Sequence, residues 1–372
     1  MIYFINFCPA KFVTHKKNYL PTFFLKTFSR FIVCFACLFI SFSVFSQTDD
    51  DISTAEMYAK KFKEDGVMCQ SSYRYFTFDK GKNALNDKVV MIEENAEYEF
   101  ISLKKFSSVM YAEYYNKFVQ LKAFKKAIKF EKKFITLERG GIDRSVTDEG
   151  VFFDDSRVQF YPLRFSQKGN MARITVKKVY QDGKYLTRLF FNSAYPIKEQ
   201  IFEFKVPDWL TVDFKKMNFE GSKVEVQENK KGGYIHYVFI MRDLPSYKPE
   251  YGSIGRAYTD PHIIVQIKTF QSKGEELKGF DKIDDVYKWN NRLYGMAGNE
   301  KDKLTPQLVK ITKGKTTDLE KIKAIYYWVQ DNIRYIAYED GYSGYIPTSA
   351  QDVMAKKYGD CKGMANLLTE LL

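Results

Sequence analysis

The chain has 372 residues, with 58 Lys and Arg against 46 Asp and Glu, a formal net charge of +12. An apolar share of 45% beside 28% charged residues is globular composition, which excludes wholesale disorder and a polytopic membrane protein. The length suggests two domains with additions, and 33 Phe with 27 Tyr favour pleated, half-buried strands over helical bundles.

Residues 1–46 carry five basic residues (Lys11, Lys16, Lys17, Lys26 and Arg30) and no acidic one. The apolar run Phe31 to Phe45 follows, then Ser46 and the polar stretch QTDDD. That order predicts a signal peptide cut after Ser46, with Val44 and Ser46 at the specificity positions. The expected destination is the periplasm or cell envelope of a Gram-negative bacterium, with membrane contact only through this segment. A run of 15 residues is short for a membrane span of about 20; an uncleaved signal anchor is the alternative. Neither Cys34 nor Cys37 follows the small residues of a lipoprotein cleavage site.

Without the leader, 53 basic and 46 acidic side chains remain, and residues 104–133 alone hold nine Lys and two Glu. The basic excess is therefore one local stripe. Such a stripe suits anionic glycans, lipid headgroups or nucleic acid. Within it, however, Val119-Gln120-Leu121-Lys122-Ala123 alternates like a strand with one wet face, so a solvated lysine face is expected. No nucleic-acid motif is present, and none is expected as a partner of an exported chain.

Residues 47–65 read as a linker. From 66 to 270 the pattern is that of many short strands, a β-sandwich-like domain expected to fold by itself. Phe202 to Val206 and Lys223 to Gln227 alternate cleanly, and Tyr234 to Ile240, apolar on both faces, reads as a central covered strand. Residues 271–312 read as a helical connector, with Asp284 to Tyr294 as one helix. In 313–372, Asp318 is placed to cap a helix with Ile322, Ile325, Val329 and Ile333 on one stripe. A Gly- and Tyr-rich loop (Tyr338 to Pro347), a short helix from Ser349 and the Gly359-Asp360 turn follow. Cys361 then opens a last helix, with Leu367, Leu368 and Leu371 on its buried face. The whole predicts an α+β chain.

Only Cys69 and Cys361 remain beyond the leader, too few for a disulfide framework. Cys361 stands at a helix start, where unpaired backbone N–H groups and the positive end of the helix dipole favour a thiolate. Those N–H groups are also suited to an oxyanion formed when the sulfur attacks a carbonyl. Cys361 is thus a candidate nucleophile; a small residue packing a helix start is the alternative. His236 and His262 fall in predicted strands and read as core or rim histidines. No zinc spacing and no phosphate loop occur, so neither metal nor cofactor is expected.

The helix IYYWVQDNIRYIAYE, the approach GYSGYIPTSAQDV and the segment KYGDCKGMANLLTELL resemble the opening half of the transglutaminase-like core of bacterial exported proteins. Upstream, the strand Pro261 to Ile267 and the loop Leu244 to Glu250 resemble the domain of unknown function that precedes such cores. The resemblance implies a papain-like cysteine acyltransferase or amidase acting on peptide or side-chain amides. It assigns the nucleophile to Cys361, after the Gly359-Asp360 turn, with the family's histidine and aspartate on strands that follow the cysteine helix. Gly363 departs from the acidic residue of many relatives. The expectation is therefore an N-terminal fragment lacking the triad's His and Asp, inactive as it stands, whose Leu367, Leu368 and Leu371 face is left uncovered. Tyr338, Tyr342 and Tyr345 are candidates to line the substrate approach, or else pack the loop. A binding or scaffold protein of the envelope, with a vestigial transglutaminase-like part, is the other reading.

Export is expected to yield a chain that begins at Gln47. N-terminal sequencing of exported material checks it; a start upstream of Phe31 would contradict it.

Overall fold

The structure, a computed structural model, describes residues 47–137, 141–146, 152–249 and 251–372. The leader and its expected cut after Ser46 lie outside the described residues, as does Glu250. Where a linker was expected, the described residues open with helix α1 (Asp49–Lys61). Thr48 and Asp51 form a capping box, each side chain accepting the other's backbone N–H at 3.2 and 3.1 Å. Ala55, Tyr58 and Phe62 recur at helical spacing and pack against Met68, Ile101 and Leu103. The charged residues between them hide this stripe in a linear reading.

Strands follow as β1 (Val67–Lys82), β2 (Lys88–Ser102), β3 (Ser107–Tyr115), β4 (Val119–Phe130), β5 (Lys133–Leu137), β6 (Ile142–Ser145), β7 (Phe152–Asp154) and β8 (Arg157–Phe165). After them come β9 (Met171–Tyr180), β10 (Arg188–Phe190), β11 (Ile197–Pro207), β12 (Leu210–Met217), β13 (Glu225–Lys231), β14 (Tyr234–Leu244), β15 (His262–Ser272) and β16 (Glu275–Lys278). Eight of them make one sheet in the order β13-β14-β11-β1-β2-β9-β4-β5. Every pair in it is antiparallel except β1 beside β11. Two smaller sheets, β3-β8-β6 and β10-β15-β12 with β16 on β15, contribute to the same core.

That core explains the aromatic composition. Phe76 and Phe204, on neighbouring parallel strands, stack with centroids 4.8 Å apart, and Phe100, Phe191 and Phe202 are fully buried around them. Tyr234 to Ile240 is not central: β14 lies one strand from the sheet edge, beside an entirely exposed β13. Its double-sided apolar pattern is only half covered: Phe239 and Ile240 are buried, Ile235 to Val238 are half-buried and Tyr234 is exposed. Lysines of the 104–133 stripe are partly spent within the chain, Lys129 on Asp51 at 2.6 Å and Lys117 on Asp340; Lys122, Lys125, Lys132 and Lys133 are exposed.

The connector begins with β16, not a helix. Helices α2 (Ile283–Gly295), α3 (Lys301–Thr312) and α4 (Asp318–Asn332) follow. Thr317, not Asp318, caps α4: its hydroxyl accepts from Glu320 N at 3.2 Å, and Asp318 instead adds charge to the first turn. Short strands β17 (Arg334–Tyr335) and β18 (Ala337–Glu339) precede α5 (Ala350–Lys356), β19 (Tyr358–Gly359) and α6 (Cys361–Leu371). Ile325, Val329 and Ile333 are buried as expected, whereas Ile322 is exposed. The expectation of an uncovered α6 face fails: Leu367 and Leu371 are buried with Leu304, Ile325, Val329 and Val353, and Leu368 packs partly against them. Helices α3, α4 and α5 supply the cover that following strands were expected to provide.

Inside the β core sits a charged network. Arg74 donates to Glu94 at 2.6 Å and Tyr180 OH donates to its other oxygen at 2.7 Å. Burial pushes the Glu94 carboxyl up, but the Arg74 guanidinium and Lys178, with both hydrogen bonds, outweigh it and hold it below the usual range. Glu94→Gln strands a buried guanidinium and is expected to cost about 3–5 kcal/mol in urea denaturation. Because the native value is depressed, this contribution is full above the ordinary carboxyl value of 4.5 and is lost as pH falls through the native one. The gap between wild type and variant should therefore close on the acid side.

Candidate active site

Cys361 is the first residue of α6 and is exposed and unpaired. The residue before it builds the helix start. Asp360 accepts from Gly363 N at 2.8 Å through its side chain and from Met364 N at 2.9 Å through its carbonyl. Its other carboxylate oxygen pairs with Lys362, whose ammonium also lies 3.8 Å from Glu339. Asp360 is thus buried and fully engaged as a cap. Gly363 fits for steric reasons: a Cβ there would stand 3.2 Å from Val353 Cγ2 and 3.3 Å from the capping oxygen. Gly359 is hemmed in likewise, with Val353 methyls at 3.1 and 3.3 Å from any added Cβ. It pairs with Tyr335 in a parallel β17–β19 contact and accepts from Ile336 N at 3.0 Å.

The other thiol has a contrasting setting. Cys69 is wholly buried in the β core, its sulfur 3.2 Å from the Ser71 carbonyl, and burial pushes it far up the scale. Beside Cys361 stands Tyr335, a residue the sequence did not single out. Loss of solvent and the adjacent Cys361 sulfur push its phenol up. Its only linear signal is its place at the end of the α4 helix motif.

Neither described histidine is held near this helix. His236 Nδ1 lies 3.2 Å from Glu203, and His262 Nδ1 lies 2.9 Å from the Asp260 carbonyl, both within the β region. Among the described residues, no group of three or more His, Cys, Asp or Glu is arranged to hold a metal ion.

The three loop tyrosines do different work from one another. Tyr338 is exposed on β18, which pairs in parallel with β7, Tyr338 opposite Phe153. Tyr342 and Tyr345 point into the β region: the Phe118 ring meets them edge-on at 5.0 and 5.7 Å and stacks on Tyr185 at 4.4 Å. Trp289 of α2 closes the cluster, 5.1 Å from Tyr345. Burial pushes the Tyr342 and Tyr345 phenols up. Asp155 joins the two sides by accepting from Lys117 N at 2.6 Å and Gly341 N at 3.2 Å. Gly341 has φ +55°, and a Cβ there would lie 3.2 Å from the Lys117 side chain.

A second clasp has no signal in the sequence. Asn366, fully buried on α6, exchanges side-chain hydrogen bonds with Asn299 at 2.8 and 2.9 Å and donates to the Thr348 carbonyl at 3.0 Å. Asn299 also accepts from Ala350 N at 3.0 Å, so one amide pair ties the loop before α3 to α5 and to the cysteine helix α6.

Removing the shared ring should loosen the loop. Phe118→Ala is expected to lower stability by about 2 kcal/mol, since the ring is half-buried. Amide hydrogen exchange at 341–346 should accelerate more than in α6; equal protection in both would refute the clamp.

Residues 307–372 match the family model of the transglutaminase-like superfamily. No curated protein matches the chain. Among solved structures it is similar in fold to a "putative protease" from Parabacteroides distasonis, at TM-score 0.54 and 12% identity, over 82% of this chain and 58% of that one. The chain therefore spans less than two thirds of that structure's length. A nutrient-binding protein described as putative, from Legionella pneumophila, aligns at TM-score 0.30 and 10% identity, over 72% of this chain and 81% of that one. An M1 zinc metallopeptidase from Deinococcus radiodurans aligns at 0.27 and 10%, over 57% and 46%. These last two alignments carry no weight here. The C-terminal part of the chain has a transglutaminase-like superfamily match, and the described residues form a mixed α+β fold made mostly of strands with a helical C-terminal part.

Proposed function

We propose that the chain is the cysteine-bearing part of an exported acyltransferase or amidase of the transglutaminase-like type, preceded by a β-sandwich-like region. One observation carries the reading: an exposed sulfur on the first residue of a helix whose start is fixed by a buried aspartate. In the proposed step the Cys361 sulfur attacks the carbonyl carbon of a peptide or side-chain amide. The C–N bond breaks, the amine leaves with a proton, and a thioester remains for water or a second amine to displace. The cap occupies the amides of Gly363 and Met364, so those of Cys361 and Lys362 are the donors left to face an oxyanion. The proton acceptor is expected from outside the described residues, because both described histidines are held in the β region. Tyr335, Tyr338, Tyr345 and Tyr358 are exposed and available to a substrate, while Tyr342 is packed into the loop.

An activated ester, whose leaving group needs no proton, tests the nucleophile independently of any general base. On exposure to p-nitrophenyl acetate, the purified chain is expected to gain one acetyl group at Cys361, at least about tenfold faster than free cysteine. Cys69 should stay unmodified, and an amide substrate should not turn over. Peptide mapping by mass spectrometry reads the site. Acetylation spread over lysines, unchanged by Cys361→Ala, would hand the chain to the scaffold reading.

A further inference from the structure

A cleft of about 730 Å³ opens where β15, β16 and the turn Gly183–Tyr185 meet helix α2. Its volume is that of a site for a small organic ligand. The floor is apolar, formed by Val90, Leu186, Val265 and Phe270, all buried. Phe280 and Trp289 form a wall, edge to face at 5.7 Å.

Charge on this lining is lopsided, with five cations against two carboxylates. Both carboxylates are already spent. Asp87 takes the two terminal nitrogens of Arg292 at 2.9 and 2.6 Å, and Asp182 pairs with Lys184. Lys88 reaches out of the set to Glu275 at 2.6 Å. Arg188 and Lys278 remain, exposed and without an ion-pair partner among the described residues. Uncompensated positive charge beside an apolar floor attracts a molecule with an apolar body and an anionic head. A cationic or purely polar molecule would waste one half of the lining.

We propose that this cleft binds an amphipathic anion, its acyl or aromatic body on the floor beside Trp289 and its carboxylate or phosphate at Arg188 or Lys278. The two cations flank the same strand, Arg188 opposite Ile264 and Lys278 opposite Thr269. They are thus about 16 Å apart along β15, and one head group engages one of them. The site is independent of Cys361 chemistry, but Trp289 belongs to both the cleft wall and the cluster holding Tyr345. The occupant therefore touches the residue that braces the cysteine loop.

Calorimetric titration of the purified chain with four twelve-carbon probes tests this: dodecanoate, dodecyl phosphate, dodecanol and dodecyltrimethylammonium. At least one of the two anions should bind saturably at one per chain, quench fluorescence in wild type but not in Trp289→Phe, and bind at least about tenfold tighter than the trimethylammonium probe. Which anion binds tighter tells a carboxylate source from a phosphate source. The double variant R188E/K278E should raise the anion's Kd by at least about tenfold with unchanged melting temperature, and the single variants show which cation holds the head. Cys361→Ala should leave binding intact, so loss of acyl transfer and loss of this site are separable. Equal binding of the anionic and cationic probes, or an unaltered Kd in R188E/K278E, overturns the proposal.

Discussion

A single carboxylate, Asp155, governs how the cysteine's surroundings meet the rest of the molecule. It receives one backbone amide from the β3–β4 turn and one from the loop after β18. Neither amide belongs to a regular ladder, so without Asp155 each would need water at a junction that aromatic rings otherwise close. Asn116 holds its half of the junction by accepting from the amides of Phe118 and Val119 at 3.0 and 2.9 Å. Phe118 is thereby presented to Tyr342 and Tyr345 from a fixed turn. The β region is in this sense part of the cysteine's scaffold.

Around the sulfur itself, stiffness comes from small residues and amides. Glycines at 359 and 363 let Val353 approach from α5, and Asp360 holds the helix start from inside. The half-buried Asn299 satisfies the amide of Asn366, which is how a polar group survives at zero exposure on a helix face. The result is a rigid platform with an open front, where Tyr335, Tyr338 and Tyr358 are exposed.

Much of this was legible in the chain. Period-two alternation revealed the β-rich body, and the YGDCKG segment located the helix start at Cys361, because a glycine–aspartate turn before an apolar helical stripe has few other readings. Three features stayed hidden for definite reasons. Helix α1 has its apolar positions diluted by charges, so that only the Thr48–Asp51 capping box marked it. The cover over Leu367 and Leu371 comes from helices whose stripes are too short to say which neighbour they face. The duty of Tyr342 and Tyr345 depends on a ring more than 220 residues earlier, and no local pattern encodes that. Tyr335 carries no distinguishing signal, because it sits among several tyrosines with equal claim.

The single parallel contact in the large sheet bears on the order of assembly. Strand β1 lies between β2, its hairpin partner, and β11, where Tyr73 stands opposite Ile201. A hairpin can form as soon as its two arms exist, but the far side of β1 stays unpaired until the chain has run on past residue 200. Closing so long a loop is entropically slow, and a bare central strand is meanwhile open to strangers. The molecule cannot complete its core from its first half, so the large sheet closes only when β11 arrives beside β1.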